Sequence, residues 1–198
     1  MAVGVSSGLA AQQSGAIAIG SNASQQSQGT NAISIGVTAG YTIQGREAVA
    51  IGYQAGYTNQ GPNTVAIGIN AGSGTQGVNS IAIGATAGNT NQASNAIAIG
   101  VSAGQTGQGA SAIAIGQNAG QTNQRTSATA IGVGAGQTGQ GTNAIAIGLS
   151  AAQSGQGQSG IAIGDNSGEV NQGSASVAIG YFAGNTNQGP DAIAIGVN

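Results

Sequence analysis

The chain has 198 residues, of which 39 are glycine; charged residues make up 3%, and cysteine and histidine are absent. Two basic and four acidic side chains give a net charge of -2, so there is no basic surface to neutralise phosphates and we expect no nucleic-acid binding. Without Cys, His or Lys, disulfides, Cys-ligated metals, a Ser-His-Asp triad and a Schiff base are excluded, and no apolar stretch approaches the roughly 20 residues of a membrane helix. We therefore expect no enzymatic activity, catalytic residue, metal, cofactor or membrane insertion.

Glycine recurs at a fixed spacing of 16 residues along the whole chain, without insertion or deletion. An internal repeat of this kind is typical of solenoid architectures. We call these residues the marker glycines: Gly4, Gly20, Gly36, Gly52, Gly68, Gly84, Gly100, Gly116, Gly132, Gly148, Gly164, Gly180 and Gly196.

Before each marker glycine the sequence alternates between β-branched and small residues, as in Ile97-Ala98-Ile99. The middle residue is Ala in every copy except the one with Ser34. Alternation of this kind, closed by glycine, predicts a short strand followed by a turn. Because the glycine content also opposes helix, the sequence predicts an all-β protein.

A second segment follows each marker glycine and contains a glutamine in every copy. Thr stands two residues before it in seven copies, so in an extended segment Thr and Gln would share one face. We expect the glutamines to form a structural ladder whose amides hydrogen-bond from coil to coil; a row that faces a ligand is the alternative. The column comprises Gln12, Gln28, Gln44, Gln60, Gln76, Gln92, Gln108, Gln124, Gln140, Gln156, Gln172 and Gln188.

Sixteen residues suit one coil with two short strands and two glycine-containing corners, stacked at the inter-strand spacing of roughly 4.8 Å. The sequence therefore predicts a parallel β-solenoid, or β-roll, of about twelve coils that forms a single repetitive domain over residues 1–198. In this fold Gln60, Gln76 and Gln92 should lie next to one another in register.

Strand alternation places the Ile/Val and the Ala columns on opposite faces, so one fills the interior and the other forms an apolar stripe. The residues alone leave open which is which. A stripe on the order of 600 Å² is larger than a soluble monomer usually exposes, which favours self-association; an ice-facing or other surface-binding plane is the competitor. Ala98, Ala114 and Ala146 are the candidate interface.

The runs Ala96-Ile-Ala-Ile-Gly100 and Ser176-Val-Ala-Ile-Gly180, led by a polar residue such as Asn95, resemble the head repeats of trimeric autotransporter adhesins and related trimeric fibre repeats. The resemblance implies a left-handed parallel β-roll, packing of three chains, and contact with a host surface. The period of 16 is longer than the usual unit of that family, and the glutamine column is not part of its pattern.

Few other residues interrupt the repeat. Asp165 and Glu169 lie in one coil and are expected to be solvated charges, Arg125 replaces a corner glycine, and Tyr41 and Tyr57 occupy equivalent positions and should stack. Both ends of the chain fall next to a predicted strand, so the chain is expected either to belong to a longer array or to stack end to end into a filament.

Taken with the resemblance, these patterns predict a structural, self-assembling fibre or surface-filament protein that is extracellular, on a cell surface or on a virion. Its expected partner is itself, as a homotrimer or an end-to-end filament. The alternatives are an adhesin head that binds a host or carbohydrate surface, and an ice-binding protein.

Overall fold

The computed structural model describes every residue from Met1 to Asn198 and contains short strands and turns, with no helix long and apolar enough to cross a membrane. The strands are β1 Ala2–Val3, β2 Ile17–Ile19, β3 Ser27–Gln28, β4 Ile33–Ile35, β5 Ile43–Gln44, β6 Val49–Ile51, β7 Val65–Ile67, β8 Ile81–Ile83, β9 Thr90–Gln92, β10 Ile97–Ile99, β11 Thr106–Gln108, β12 Ile113–Ile115, β13 Thr129–Ile131, β14 Ile145–Ile147, β15 Ile161–Ile163, β16 Val177–Ile179 and β17 Ile193–Ile195.

The chain divides into two compact units, Met1–Ile99 and Gly100–Asn198. In the first unit the strands that precede the marker glycines pair in the order β1-β2-β4-β6-β7-β8-β10, and β3 pairs with β5. In the second unit they pair in the order β12-β13-β14-β15-β16-β17.

All of these pairs are parallel, and each residue pairs with its equivalent in the next coil, as Ala50 does with Ala66 and Ala146 with Ala162. The predicted all-β parallel solenoid of roughly 12 coils is confirmed. Its left-handedness stays a prediction.

The marker glycines close each strand because only glycine fits their backbone geometry. Their φ angles lie between 125° and 134°, a region that L side chains rarely adopt. A Cβ atom on Gly132 would also overlap the carbonyl oxygen of Gly148 in the next coil. The 16-residue glycine period therefore marks a bend in the backbone at which consecutive coils are in close contact.

The polar residue that leads each strand also has a backbone role. Asn63, Asn95 and Asn143 adopt φ angles of 58°, 61° and 59°, in the left-handed region that Asn tolerates better than most residues. Ser and Asp occupy the same position at Ser111 and Asp191, again with positive φ. The Asn preference that contributes to the family resemblance therefore has a local conformational cause.

The interior of each coil contains alanine and glutamine, and no large aliphatic side chain. The central alanines of the strands point inward, where Ala98, Ala114 and Ala146 have 0% exposure. The largest fully buried side chains are glutamines. The expectation that these three alanines form a subunit interface is therefore corrected: their side chains are enclosed by their own chain, and the flanking Ile and Val side chains are outside.

Candidate functional site

The glutamine column lies inside the coils, where the side-chain amides donate hydrogen bonds to the backbone of their own coil. The Nε2 atom of Gln124 donates to the carbonyl oxygens of Ile113 at 2.7 Å and Ala128 at 3.2 Å. These acceptors lie 11 residues before and 4 residues after the glutamine, and most of the column repeats the first of these bonds. The amide thus bridges the coil interior and adds a second donor to a backbone carbonyl near the Ile-Ala-Ile strand, since the carbonyl of Ala128 also accepts the N–H of Ile113 at 2.9 Å. The ten members from Gln28 to Gln172 are at most 3% exposed.

Neighbouring glutamines are also in register, as predicted. Gln60 forms parallel bridges with Gln44 and with Gln76, and Gln76 with Gln92, which confirms the expected adjacency of Gln60, Gln76 and Gln92. Because these side chains are enclosed, the column does not face a ligand.

Amide-to-amide hydrogen bonds join some of the neighbouring coils. In the second unit Gln108 donates to Oε1 of Gln124 at 3.1 Å, and Gln124 donates to Oε1 of Gln140 at 3.1 Å. Gln156 donates to Gln172 in the same way at 3.0 Å. Part of the column therefore forms the expected ladder of coil-to-coil bonds.

The prediction that Thr and Gln share one face is wrong in most coils. Thr138 is exposed, whereas Gln140 has 0% exposure. The intervening residue, Gly139, adopts a φ of 71°, and Asn123 has the equivalent conformation with a φ of 55°. This left-handed residue turns the chain, so the two-residue alternation of an extended strand does not apply there.

The threonine hydroxyls differ between the two units. In the first unit Thr42 donates to the carbonyl oxygen of Tyr57 at 3.4 Å, and Thr58 to that of Ser73 at 3.1 Å. In the second unit Thr106, Thr122 and Thr138 are in parallel register, and their hydroxyls make no hydrogen bond within the chain. They form a short outward column of hydroxyl groups that are free to bind water or a ligand.

The outward Ile and Val side chains beside the alanines form a continuous apolar surface on each unit, which we call the Ile/Val face. In most interior coils the last residue of the strand is partly exposed, as are Ile67 and Ile115 at 36% and 37%. The corner residues that follow the marker glycines are often apolar too, and Val101 and Leu149 are 51% and 50% exposed. Residues flanking the central alanine are therefore available to a partner.

The face comprises Ile17, Ile19, Ile33, Ile35, Val49, Ile51, Val65, Ile67, Ile81, Ile83, Ile97 and Ile99 in the first unit, and Ile113, Ile115, Thr129, Ile131, Ile145, Ile147, Ile161, Ile163, Val177, Ile179, Ile193 and Ile195 in the second. None of these side chains is charged.

The few aromatic and charged residues lie outside this face. Tyr41 and Tyr57 stack with ring centroids 5.0 Å apart and planes 9° from parallel, which confirms their predicted stacking. Glu169 accepts a hydrogen bond of 2.7 Å from Asn185. No group of three or more His, Cys, Asp or Glu residues comes together in a way that could hold a metal ion.

A scan against protein-family models finds no match for this sequence, and a search of curated proteins finds no similar one.

Proposed function

We propose that the protein is a structural, self-assembling β-solenoid and that its chains associate through the Ile/Val face. The observation that supports this proposal is the exposure of large aliphatic side chains along successive coils, while the interior contains no large aliphatic side chain. An apolar surface that continues along successive coils is typical of an interaction surface.

A second copy of the same chain is the partner that best fits this face. The face carries no charge and repeats every 16 residues, so a second copy presents side chains with the same spacing. Sheets pack face to face at about 10 Å by interdigitating such side chains. The resemblance to trimeric fibre repeats supports a homotrimer in an extracellular, cell-surface or virion fibre.

The test replaces exposed isoleucines while leaving the interior unchanged. The triple variant Ile115→Thr, Ile131→Thr, Ile147→Thr retains β-branched residues, and Thr129 already occupies this face. Each substitution should remove about 1 kcal/mol of apolar burial at the interface, so association should weaken roughly a hundredfold or more. Analytical ultracentrifugation measures the assembly state, and circular dichroism checks that the fold is kept.

Ile43→Thr is the control, because Ile43 is 54% exposed but belongs to β5, outside the Ile/Val face. It should leave association unchanged. A parent chain that is monomeric at every concentration, or a folded triple variant that associates as the parent does, contradicts the proposal.

Ice binding is the second candidate, and the free hydroxyls of Thr106, Thr122 and Thr138 favour it. Three in-register hydroxyls on neighbouring coils offer a regular, uncharged array to water. Thermal hysteresis of the purified chain should then be measurable and should fall when these residues are replaced by Val. Hysteresis no greater than that of an unrelated protein at the same concentration removes this candidate.

A further inference from the structure

The repeat is interrupted at one exposed corner by a positively charged residue. Arg125 follows Gln124 directly, at a position where most other coils have glycine, as at Gly109 and Gly141. It is one of two cationic side chains in the sequence, the other being Arg46 in the first unit. The departure from the repeat therefore adds a charge that the fold of the other coils does not require.

The side chains around Arg125 line a shallow cleft. Asn123 and Thr126 flank it in the same coil, and Gly107, Gly109 and Gly139 line the cleft from the coils before and after. Gly109 packs against the backbone of Arg125 and Thr126, whereas there is open space around Gly139. The cleft is thus formed mainly by the polar side chains of one coil, with Thr142 contributed by the next coil.

The polar side chains in this cleft are uncommitted. Asn123, Arg125 and Thr126 are all exposed, and the side chain of none of them forms a hydrogen bond or an ion pair within the protein. This contrasts with the equivalent Asn171, which donates to Asn187 at 3.2 Å, and with Thr30, which donates to Gln13 at 2.8 Å. Three polar groups of different kinds are therefore free to bind a ligand at one place.

Three backbone amides around the cleft already have hydrogen-bond partners. The amides of Asn123 and Arg125 donate to Thr106 at 2.9 Å and Gln140 at 3.1 Å, and the amide of Gly139 donates to Thr122 at 3.0 Å. A peptide that bound by adding a strand would need such groups free. These occupied amides are unavailable for strand addition, so recognition at this cleft relies on the side chains.

We infer that Asn123, Arg125 and Thr126 form a binding site for a carboxylated sugar, such as a uronic acid residue of an acidic glycan. The planar guanidinium of Arg125 matches a carboxylate, to which it can donate two parallel hydrogen bonds. The Asn123 amide both donates and accepts, and the Thr126 hydroxyl does the same, as the hydroxyl groups of a sugar ring require.

The surrounding charge supports an anionic ligand with a single charge. The nearest acidic residue in the second unit along the chain, Asp165, lies two and a half repeats further on, which corresponds to about 12 Å at the spacing of stacked strands. That distance exceeds the screening length of about 8 Å at physiological salt. Arg125 is thus an unneutralised cation with one positive charge to offer, too little for a polyphosphate.

The probe is a short oligomer of 1,4-linked galacturonic acid, titrated into the full chain at about 0.15 M salt and followed by calorimetry or by NMR shifts of the Asn123 amide. The parent should bind it, and the fully methyl-esterified oligomer should bind at least tenfold more weakly. Arg125→Gly restores the residue of the neighbouring coils, so the fold should be kept. It should weaken binding about tenfold or more, the usual contribution of a hydrogen bond to a charged group.

Arg46→Thr is the matched control, since it removes the same charge and places at position 46 the residue found at Thr30. It should change the affinity less than twofold. Asn123→Gly, which copies Gly107 and Gly139, should weaken binding severalfold with an unchanged melting curve. The assembly state should be the same in all variants, so this test is independent of the proposed self-association.

Several results would overturn the inference. These are no binding of the oligomer by the parent, equal binding of the methyl ester, equal losses in Arg46→Thr and Arg125→Gly, or undiminished binding by Arg125→Gly. A glutamate peptide of the same charge that binds as tightly as the oligomer, with the same dependence on Arg125, would overturn the assignment to a sugar.

Discussion

Gln60 and Gln124 occupy equivalent positions in the two units, yet their amides have different surroundings. Gln60 donates to the carbonyl oxygen of Val49 at 2.8 Å, and its own buried carbonyl oxygen has no partner. Gln124 donates to two backbone carbonyls and to Gln140, and it accepts a hydrogen bond from Gln108. The same residue, buried to 1% exposure in both places, is thus far more connected in the second unit.

The difference separates two roles of the glutamine side chain. The hydrogen bond from Nε2 to the strand of its own coil is present in both units, so it is a common feature of the repeat. The bond to the next glutamine is present in some coils and missing in others, as between Gln140 and Gln156, whose Oε1 has no partner. Register between coils therefore does not depend on the amide ladder; the backbone hydrogen bonds maintain it.

The largest loss of stability should come from replacing the glutamine amide with a carboxyl group, which can be done in both units. Gln124→Glu turns a donor that faces three acceptor oxygens into a carboxylate, at a cost of about 3–5 kcal/mol at neutral pH. Gln60→Glu should cost less, because fewer acceptors face the new group. Chemical denaturation of both variants across pH measures the difference.

The pH dependence has a definite sign. Burial raises the pKa of the folded-state carboxyl above its unfolded value of about 4.3. Stability of either variant should therefore be nearest to that of the parent below about pH 4, and it should be lost as the pH rises through the folded-state pKa. A pH-independent loss, or an equal loss at both positions, would contradict the comparison.

The next largest loss of stability should come from replacing a marker glycine, and it should be the same in the two units. Gly68 and Gly132 both have a φ of 127° and both face the carbonyl oxygen of the next marker glycine. Gly68→Ala and Gly132→Ala should each cost about 2–4 kcal/mol, from backbone strain and overlap. Gly139→Ala is the control: it has space around it and should cost only about 1 kcal/mol. Thermal melting measures all three, and a tolerated Gly132→Ala would contradict the geometric role of the marker glycines.

A smaller difference should appear when the amide is removed without adding charge. Gln124→Leu removes an amide whose two N–H hydrogens are shared among three acceptors and whose oxygen accepts from Gln108, whereas Gln60→Leu removes one donated bond. Each hydrogen bond contributes roughly 1 kcal/mol, so Gln124→Leu should be more destabilising by about 2 kcal/mol. Amide hydrogen exchange around each site is the suitable measurement, because repeat proteins lose structure locally. Equal protection in the two variants would show that the extra bonds add nothing.

The smallest effect concerns Gln44, which differs from its neighbours in its partners. Its side-chain oxygen, Oε1, accepts hydrogen bonds from the hydroxyl of Ser34 at 2.7 Å and from that of Ser24 at 3.2 Å. Ser34→Ala restores the residue of the other coils and leaves the bond from Ser24, so the cost should be at most about 1 kcal/mol. A loss well above that in a denaturant titration would show that the pair of serines, and not the backbone, stabilises this coil.

The fold could be predicted because its signals are local and repeated. The alternation in Ile97-Ala98-Ile99 indicates a strand, and the glycine after it indicates a corner with an unusual φ angle. Sixteen residues leave room for only one coil before the pattern returns. Each of these inferences requires only the chain itself and the sterics of glycine.

It was harder to predict which face of each strand points inward. Alanine and isoleucine are both apolar, and alternation alone is compatible with either one inside. One signal did point to the answer: the middle residue varies only between Ala and Ser, whereas flanking positions accept Ile, Val and Thr129. A position that tolerates only small residues is enclosed. The left-handed turn at Asn123 and Gly139 could not be inferred from the threonine and glutamine spacing, since both residues also fit an extended segment.

The pairing of each coil with its nearest neighbours also constrains how such a gene can change in length. Duplication or deletion of a whole 16-residue coil reproduces the register of Ala114 on Ala130 at the new junction. Insertion of a single residue within a strand would instead turn its isoleucines inward, at positions that have space only for alanine or serine. Variation in length among descendants of this sequence should therefore occur in whole coils.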